Sequence, residues 1–237
     1  MTSSLKNAYP GVTQQGGVTL GGKQQLLTSK TMQHCGCGVV AALDLIRYLH
    51  LYDPACRTSF FTGVEESAAL PVPVYDLCAQ RMRRNYLPVI YPVGTTGFSL
   101  ANGLNRYFKQ YGLPLKAKWG VPKQQLWQEI RSMLDQDLPV ILSVGNHFPK
   151  FWDKRGAVLH RRSGEDWKEA SHIHAHYAVV LAMDETWLRI SSWGREYYLA
   201  RDEFLRYRDS ESLSLLCNIV WICRKEQDGS PTDRKGK

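Results

Sequence analysis

Three short segments hold residue types that could do chemistry. The first, Gln33-His34-Cys35-Gly36-Cys37-Gly38, opens an apolar, alanine-rich run. A cysteine at the start of a helix meets free backbone N–H groups and the positive end of the helix dipole, which favour the thiolate and lower the thiol pKa. The second places His172, His174 and His176 at alternate positions, so in a strand they face one side. His172 and His174 read as polar residues at a strand entry, whereas His176 leads directly into Tyr177-Ala178-Val179-Val180, a core-type strand. The third, Ile190-Ser191-Ser192-Trp193-Gly194, ends another strand on a polar pair. A base facing a helix-borne thiol can take its proton, and a third polar group can fix the tautomer and plane of the imidazole.

The elements around these segments must position them. An apolar face of Val39, Leu43, Ile46 and His50, widened by Val40 and Ala41, predicts a largely buried helix over about 37–49, with Asp44, Arg47 and Leu51 lying off that face. Further helices are expected near 75–85, over 99–111 with Gly112 as its stop, and over 123–136 opened by Pro122. After Pro139 the pattern turns to strands, at 140–144, 176–183, 187–193, 196–199 and 217–223, with Asp184-Glu185 as a hairpin turn. Helices followed by an antiparallel sheet give the class α+β. Residues 1–30, rich in Gly, Gln, Thr and Ser, read as an extended arm. The pairs Gly16-Gly17 and Gly21-Gly22 fit a flexible loop. The polar, basic stretch 148–171 reads as an exposed insertion, in which Trp152 and Trp167 are candidate partner contacts, and 225–237 as a disordered tail. The rest, 31–224, is one domain.

Composition narrows the classes. A chain of 237 residues with 43% hydrophobic residues is neither disordered nor a disulfide miniprotein, and its six cysteines are expected to be free thiols. The net charge of +8 comes from scattered basic residues with short clusters at Arg81–Arg84, Lys154–Arg162 and the C-terminus. No helix carries a basic stripe, so no nucleic-acid partner is expected. No apolar run reaches the ~18 residues of a membrane span, and the polar start lacks a signal-peptide core, so a cytoplasmic protein without membrane contact is the expectation.

The order of motifs resembles papain-like cysteine peptidases. Cys37-Gly38 before an alanine-rich helix, Asp137-Leu138-Pro139-Val140-Ile141, and His176-Tyr177-Ala178-Val179-Val180 are similar to the bacteriocin-processing (double-glycine) peptidases and their soluble relatives. Ile190-Ser191-Ser192-Trp193-Gly194 resembles the Asn-Ser-Trp-Gly segment of the wider superfamily, and Arg201-Asp202-Glu203-Phe204-Leu205 the segment that follows. The resemblance spans roughly residues 31–207. It implies a helical lobe packed against an antiparallel β lobe, with the cleft between them. It also implies hydrolysis of a peptide or amide bond in a peptide or protein substrate, through a thioester and without a cofactor. Cys37 would be the nucleophile, His176 the base, Ser191 the third member in place of Asn or Asp, Gln33 an oxyanion donor, and Trp193 a shield over the histidine at the substrate site. Cys35 stays open as nucleophile, although it would leave Gln33 only two residues away.

Three other readings use the same residues. A thioester resolved by an amine makes an acyltransferase. A shell with a degraded triad makes a binding module, which the absence of Asn or Asp at Ser191 favours. Cys35, Cys37, His172, His174 and His176 also offer a zinc donor set, although Cys-x-Cys is a weaker signal than Cys-x-x-Cys.

Overall fold

A computed structural model of the chain describes residues 2–64, 66–149 and 155–225. The N-terminal part contributes β1 (Ser3–Ser4), β2 (Gly11–Gln14), β3 (Gly17–Val18), α1 (Lys30–Cys35), α2 (Cys37–Tyr52), β4 (Ala69–Pro71), α3 (Val72–Asn85) and α4 (Gly97–Gln110). There follow β5 (Leu115–Trp119), α5 (Leu126–Asp135), β6 (Val140–Val144), β7 (Ala157–Ser163), β8 (Asp166–Ile173), β9 (His176–Met183), β10 (Trp187–Ser192), β11 (Arg195–Ala200), α6 (Arg201–Ser210) and β12 (Ile219–Arg224). Among the described residues the main sheet runs β5-β12-β6-β9-β10-β11-β7-β8, every neighbouring pair antiparallel, with β1 added against the end of β9. The class is α+β, as the sequence order predicts, although three short strands of the N-terminal arm precede the helices and one of them, β1, joins the main sheet. No helix among the described residues is long and apolar enough to cross a membrane.

Strand β9 is central and buried along almost its whole length, with β6 and β10 on either side and α2 packed across it. A strand buried on both faces needs a continuous apolar run, and Ala178 to Met183 supply it. Helix α2 is buried from Gly38 to His50, wider than its apolar face predicts: Asp44 and Arg47 lie inside as well, beside the polar His50 of the face itself. Each is accommodated by partners. Asp44 accepts from the Gly22 amide and the Tyr75 hydroxyl, an Arg47 Nη donates to the Ser67 carbonyl, and His50 Nδ1 accepts from the Thr58 amide. Buried polar groups require such bonds, and no periodicity in the sequence reveals them.

Two expectations change. The described part of the stretch 148–171 is not a plain insertion: residues 157–173 form the β7–β8 hairpin, which extends the sheet beyond β11, with Ala157 and Leu159 buried. Strand β8 faces solvent along most of its length, so its polar residues hide a strand. Trp152 lies outside the described residues, as do 226–237 of the expected tail. The N-terminal arm is extended but anchored rather than loose. Leu5, Tyr9, Val12 and Leu27 are buried, and the Asp137 carboxylate takes the Lys6 amide, the Asn7 side chain and the Tyr48 hydroxyl. The six cysteines are free thiols.

Candidate active site

Cys37 is the first residue of α2, after the Gly36 cap. Its amide therefore lies outside the helical hydrogen-bond ladder. His176 is the first residue of β9, paired in register with Val144 of β6. Because α2 crosses β9, the heads of the two elements meet. Cys37 and His176 line one small cavity of about 20 Å³, together with Gly22, Gln24, Asp44, Ser191, Ser192 and Trp193 on its polar side and Val40, Ala41 and Val179 on its apolar side. A volume of that size holds about one water molecule.

The histidine is held from two sides. Its Nε2 lies 2.9 Å from the Ser192 hydroxyl, which leaves Nδ1 as the nitrogen free to exchange a proton with the thiol. The Trp193 ring packs on the imidazole with centroids 4.6 Å apart. Trp193 and Gly194 form the two-residue turn between β10 and β11, with φ of 49° and 74°. Two positive φ values make this a type I′ hairpin turn, natural for glycine and strained for tryptophan. The strained backbone at Trp193 carries the indole back over His176. The indole thus covers one face of the imidazole.

Ser191 and Gln33 do not make the contacts expected of them. The Ser191 hydroxyl lines the cavity but donates to the Leu20 carbonyl at 2.7 Å; the partner of the imidazole is its neighbour, Ser192. Adjacent residues of a strand face opposite ways, so only one of the two serines can meet His176. The Gln33 side-chain amide donates to the Leu27 carbonyl at 2.7 Å, and Gln33 does not line the cavity. The glutamine that does line the cavity is Gln24. It is buried in the cavity wall, and its amide donates to the carbonyls of Gln33 and His34 at 2.7 and 3.2 Å. Helix α1, capped by Ser29, separates Gln24 from Cys37, so a spacing argument that looks just ahead of the cysteine misses it. The available signal was the Gly21-Gly22 pair. A Cβ on Gly22 would collide with the Tyr75 hydroxyl, and one on Gly21 with the Ser191 hydroxyl. These glycines permit close approach to the site, a different role from loop flexibility.

Cys35 stands apart from the cavity, its thiol donating to the Pro92 carbonyl at 3.3 Å. The five candidate zinc donors are dispersed as well. His172 pairs with Glu169 at 3.5 Å, and His174 stacks on His147. Among the described residues no three His, Cys, Asp or Glu side chains come together as metal donors.

Burial dominates the electrostatics. It pushes the Cys37 thiol above its ordinary value, against the backbone N–H groups of Tyr177, Gly38 and Cys37 itself, which favour the thiolate; Cys35 adds to the rise. The lowered thiol pKa expected from the helix start is therefore overturned: desolvation outweighs the helix-end amides. Burial, helped by His174, also lowers His176 to about 4. At neutral pH the resting pair is thiol and neutral imidazole.

Beside the cavity, and sharing His176 and Tyr177 with it, runs an open groove of about 250 Å³. Val93, Phe98, Trp119 and Leu215 line it, and of these Val93, Phe98 and Leu215 are exposed. The Tyr177 hydroxyl donates to the Thr95 carbonyl at 2.9 Å and fixes the groove wall nearest the thiol.

Compared with known protein families, curated proteins and solved structures, the chain matches none.

Proposed function

We propose that this chain is a papain-like thiol hydrolase, akin to the double-glycine peptidases, that cleaves a peptide or amide bond. The observation that carries the reading is the convergence of a helix-opening Cys37 and a strand-opening His176 on one cavity, with Ser192 on the far nitrogen of the imidazole. Two secondary-structure termini from distant parts of the chain supply nucleophile and base at a single point.

In this reading an acyl group enters along the apolar groove and presents its carbonyl to Cys37. Sulfur attacks the carbonyl carbon as its proton passes to His176. The imidazole starts neutral, so proton transfer belongs to the attack itself rather than to a preformed ion pair. The Cys37 amide is the donor placed to hold the oxyanion, whereas the Gln24 side-chain amide is committed to the carbonyls of Gln33 and His34. The amine leaves with the proton from His176, and the thioester remains on Cys37. Water, activated by His176, then returns the acid. An amine in place of water would give acyl transfer through the same thioester.

The test is alkylation of Cys37 by iodoacetamide, followed by mass spectrometry, in the wild type and in His176→Ala. Loss of a general base is expected to slow Cys37 by about 100-fold and to leave Cys35 unchanged as an internal control. A Cys37 that reacts equally in both proteins sinks the reading and leaves a non-catalytic binding module. Where the pair is active, peptide libraries incubated with and without added amines separate hydrolysis from acyl transfer.

A further inference from the structure

Asp44 is a buried carboxyl in the wall of the Cys37–His176 cavity, and the chemistry above does not use it. It lies on α2 about two turns after Cys37, on the same side of the helix. Its Oδ2 accepts from the Gly22 amide and its Oδ1 from the Tyr75 hydroxyl, both at 2.7 Å. Both donors are neutral, so the carboxyl is fixed in place without being neutralised. Tyr9 from the arm and Tyr75 from α3 face it directly, and the other titratable groups that line its cavity are Cys37 from its own helix, His176 from β9 and Tyr177 beside it. Of these only His176 can become a cation.

The site has a matching deficit. Ser192 can orient the imidazole, but a hydroxyl carries no charge to stabilise the imidazolium that forms when the thiol gives up its proton. A hydroxyl can also donate or accept, so it does not choose the tautomer. A carboxylate on the same water-poor cavity acts across it with little screening.

We propose that Asp44 is the positioning carboxylate of this site, its charge stabilising the His176 imidazolium from across the cavity while Ser192 holds the ring. The inference rests on the Cys37–His176 reading. Burial pushes the Asp44 carboxyl up to about 7, against the Gly22 and Tyr75 hydrogen bonds. The support is therefore present above about pH 7 and lost below it.

The experiment is the pH–rate profile of Cys37 alkylation in four proteins: wild type, Asp44→Asn, His176→Ala and the double variant. Asparagine keeps an acceptor for the Gly22 amide and a donor for the Tyr75 oxygen, so the packing is preserved. In the wild type a step in rate is expected near pH 7. Asp44→Asn should lose that step and run about tenfold slower at pH 8, the equivalent of one pKa unit in the imidazole. In the His176→Ala background the same substitution should change nothing, an outcome that a merely structural role would not produce. Tyr75→Phe provides a second route, because it removes one bond to the ionised carboxylate and should move the step to higher pH. An Asp44→Asn protein with the wild-type profile, beside a slowed His176→Ala, overturns the role of Asp44 and leaves the Cys37–His176 pair standing. Indifference of Cys37 to His176 overturns both.

Discussion

His176 Nε2 stands 2.9 Å from the Ser192 hydroxyl, while the hydroxyl of Ser191, one residue earlier, turns to the Leu20 carbonyl. The alternation of the strand thus divides two adjacent serines between two tasks. One touches the imidazole. The other ties the Leu20–Gly22 segment to β10, and Gly22 of that segment walls the cavity.

The division can be measured. Ser192→Ala removes a hydrogen bond of about 1 kcal/mol net and should slow Cys37 alkylation about fivefold. Ser192→Asn, which offers a carbonyl to Nε2–H, should restore the rate. Ser191→Ala should leave the rate near wild type and lower unfolding stability by about 1 kcal/mol instead. The reverse pattern, read by alkylation and urea unfolding on the same samples, would exchange the two assignments.

How much of this was legible in the sequence depends on how local each cause is. Helix α2 was legible because its apolar residues recur at helical spacing behind a glycine–cysteine start, and β9 because Ala178 to Met183 form an unbroken apolar run. Trp193 was legible as a shield only through the resemblance; its left-handed backbone appears only in the structure. The choice of Ser192 over Ser191 depends on strand phase, which a pair of identical residues cannot disclose. Gln24 is invisible to spacing because a six-residue helix intervenes before Cys37. Asp44 was read as lying off the apolar face. It is buried because Gly22 and Tyr75, far away in sequence, bring it a backbone amide and a hydroxyl.

Trp193 keeps water from the imidazole, and that contact helps hold His176 near 4. Trp193→Gly suits the left-handed backbone and exposes the ring. We expect the His176 pKa, followed by NMR of the imidazole, to rise toward its ordinary 6.5. A pKa unmoved by the substitution would place the desolvation elsewhere, in α2 and the Tyr177 wall.

Gly22→Ala should be costly out of proportion to one methyl group. The new Cβ meets the Tyr75 hydroxyl and then Val40. Overpacking of this kind costs about 1–3 kcal/mol, and displacement of Tyr75 would also take its bond from Asp44. Gly16→Ala meets the opposite conditions, a positive φ of 94° with open space around its Cβ, whereas Gly22 has no positive φ, so the two variants separate backbone strain from packing. Urea unfolding should show the larger loss at Gly22. A loss at Gly22 no larger than at Gly16 would show that Tyr75 and Val40 give way to the new methyl group.

The opposed shifts of Asp44 and His176 predict a cancellation in the pH dependence of stability. Asp44 moves from its ordinary 3.8 up to about 7. A raised folded pKa means that the folded chain binds this proton more tightly, so its contribution is full below 3.8 and lost as pH rises toward 7. His176 moves from 6.5 down to about 4, so its contribution is full above 6.5 and lost as pH falls toward 4. Between about pH 4 and 6.5 the unfolded chain carries a proton on His176 and the folded chain carries one on Asp44. The numbers bound are equal, so the pair adds no slope in that window. Removing either partner should uncover the other. Asp44→Asn should make stability rise with pH across the window by about 1.4 kcal/mol per unit at most, and His176→Gln should make it fall at a similar rate. Urea midpoints of wild type and both variants, at half-unit steps from pH 4 to 7, test this directly. Variant-minus-wild-type differences of opposite slope are expected. Two flat differences would show that burial does not set the protonation of this cavity, and would remove the pH step expected for Cys37 as well.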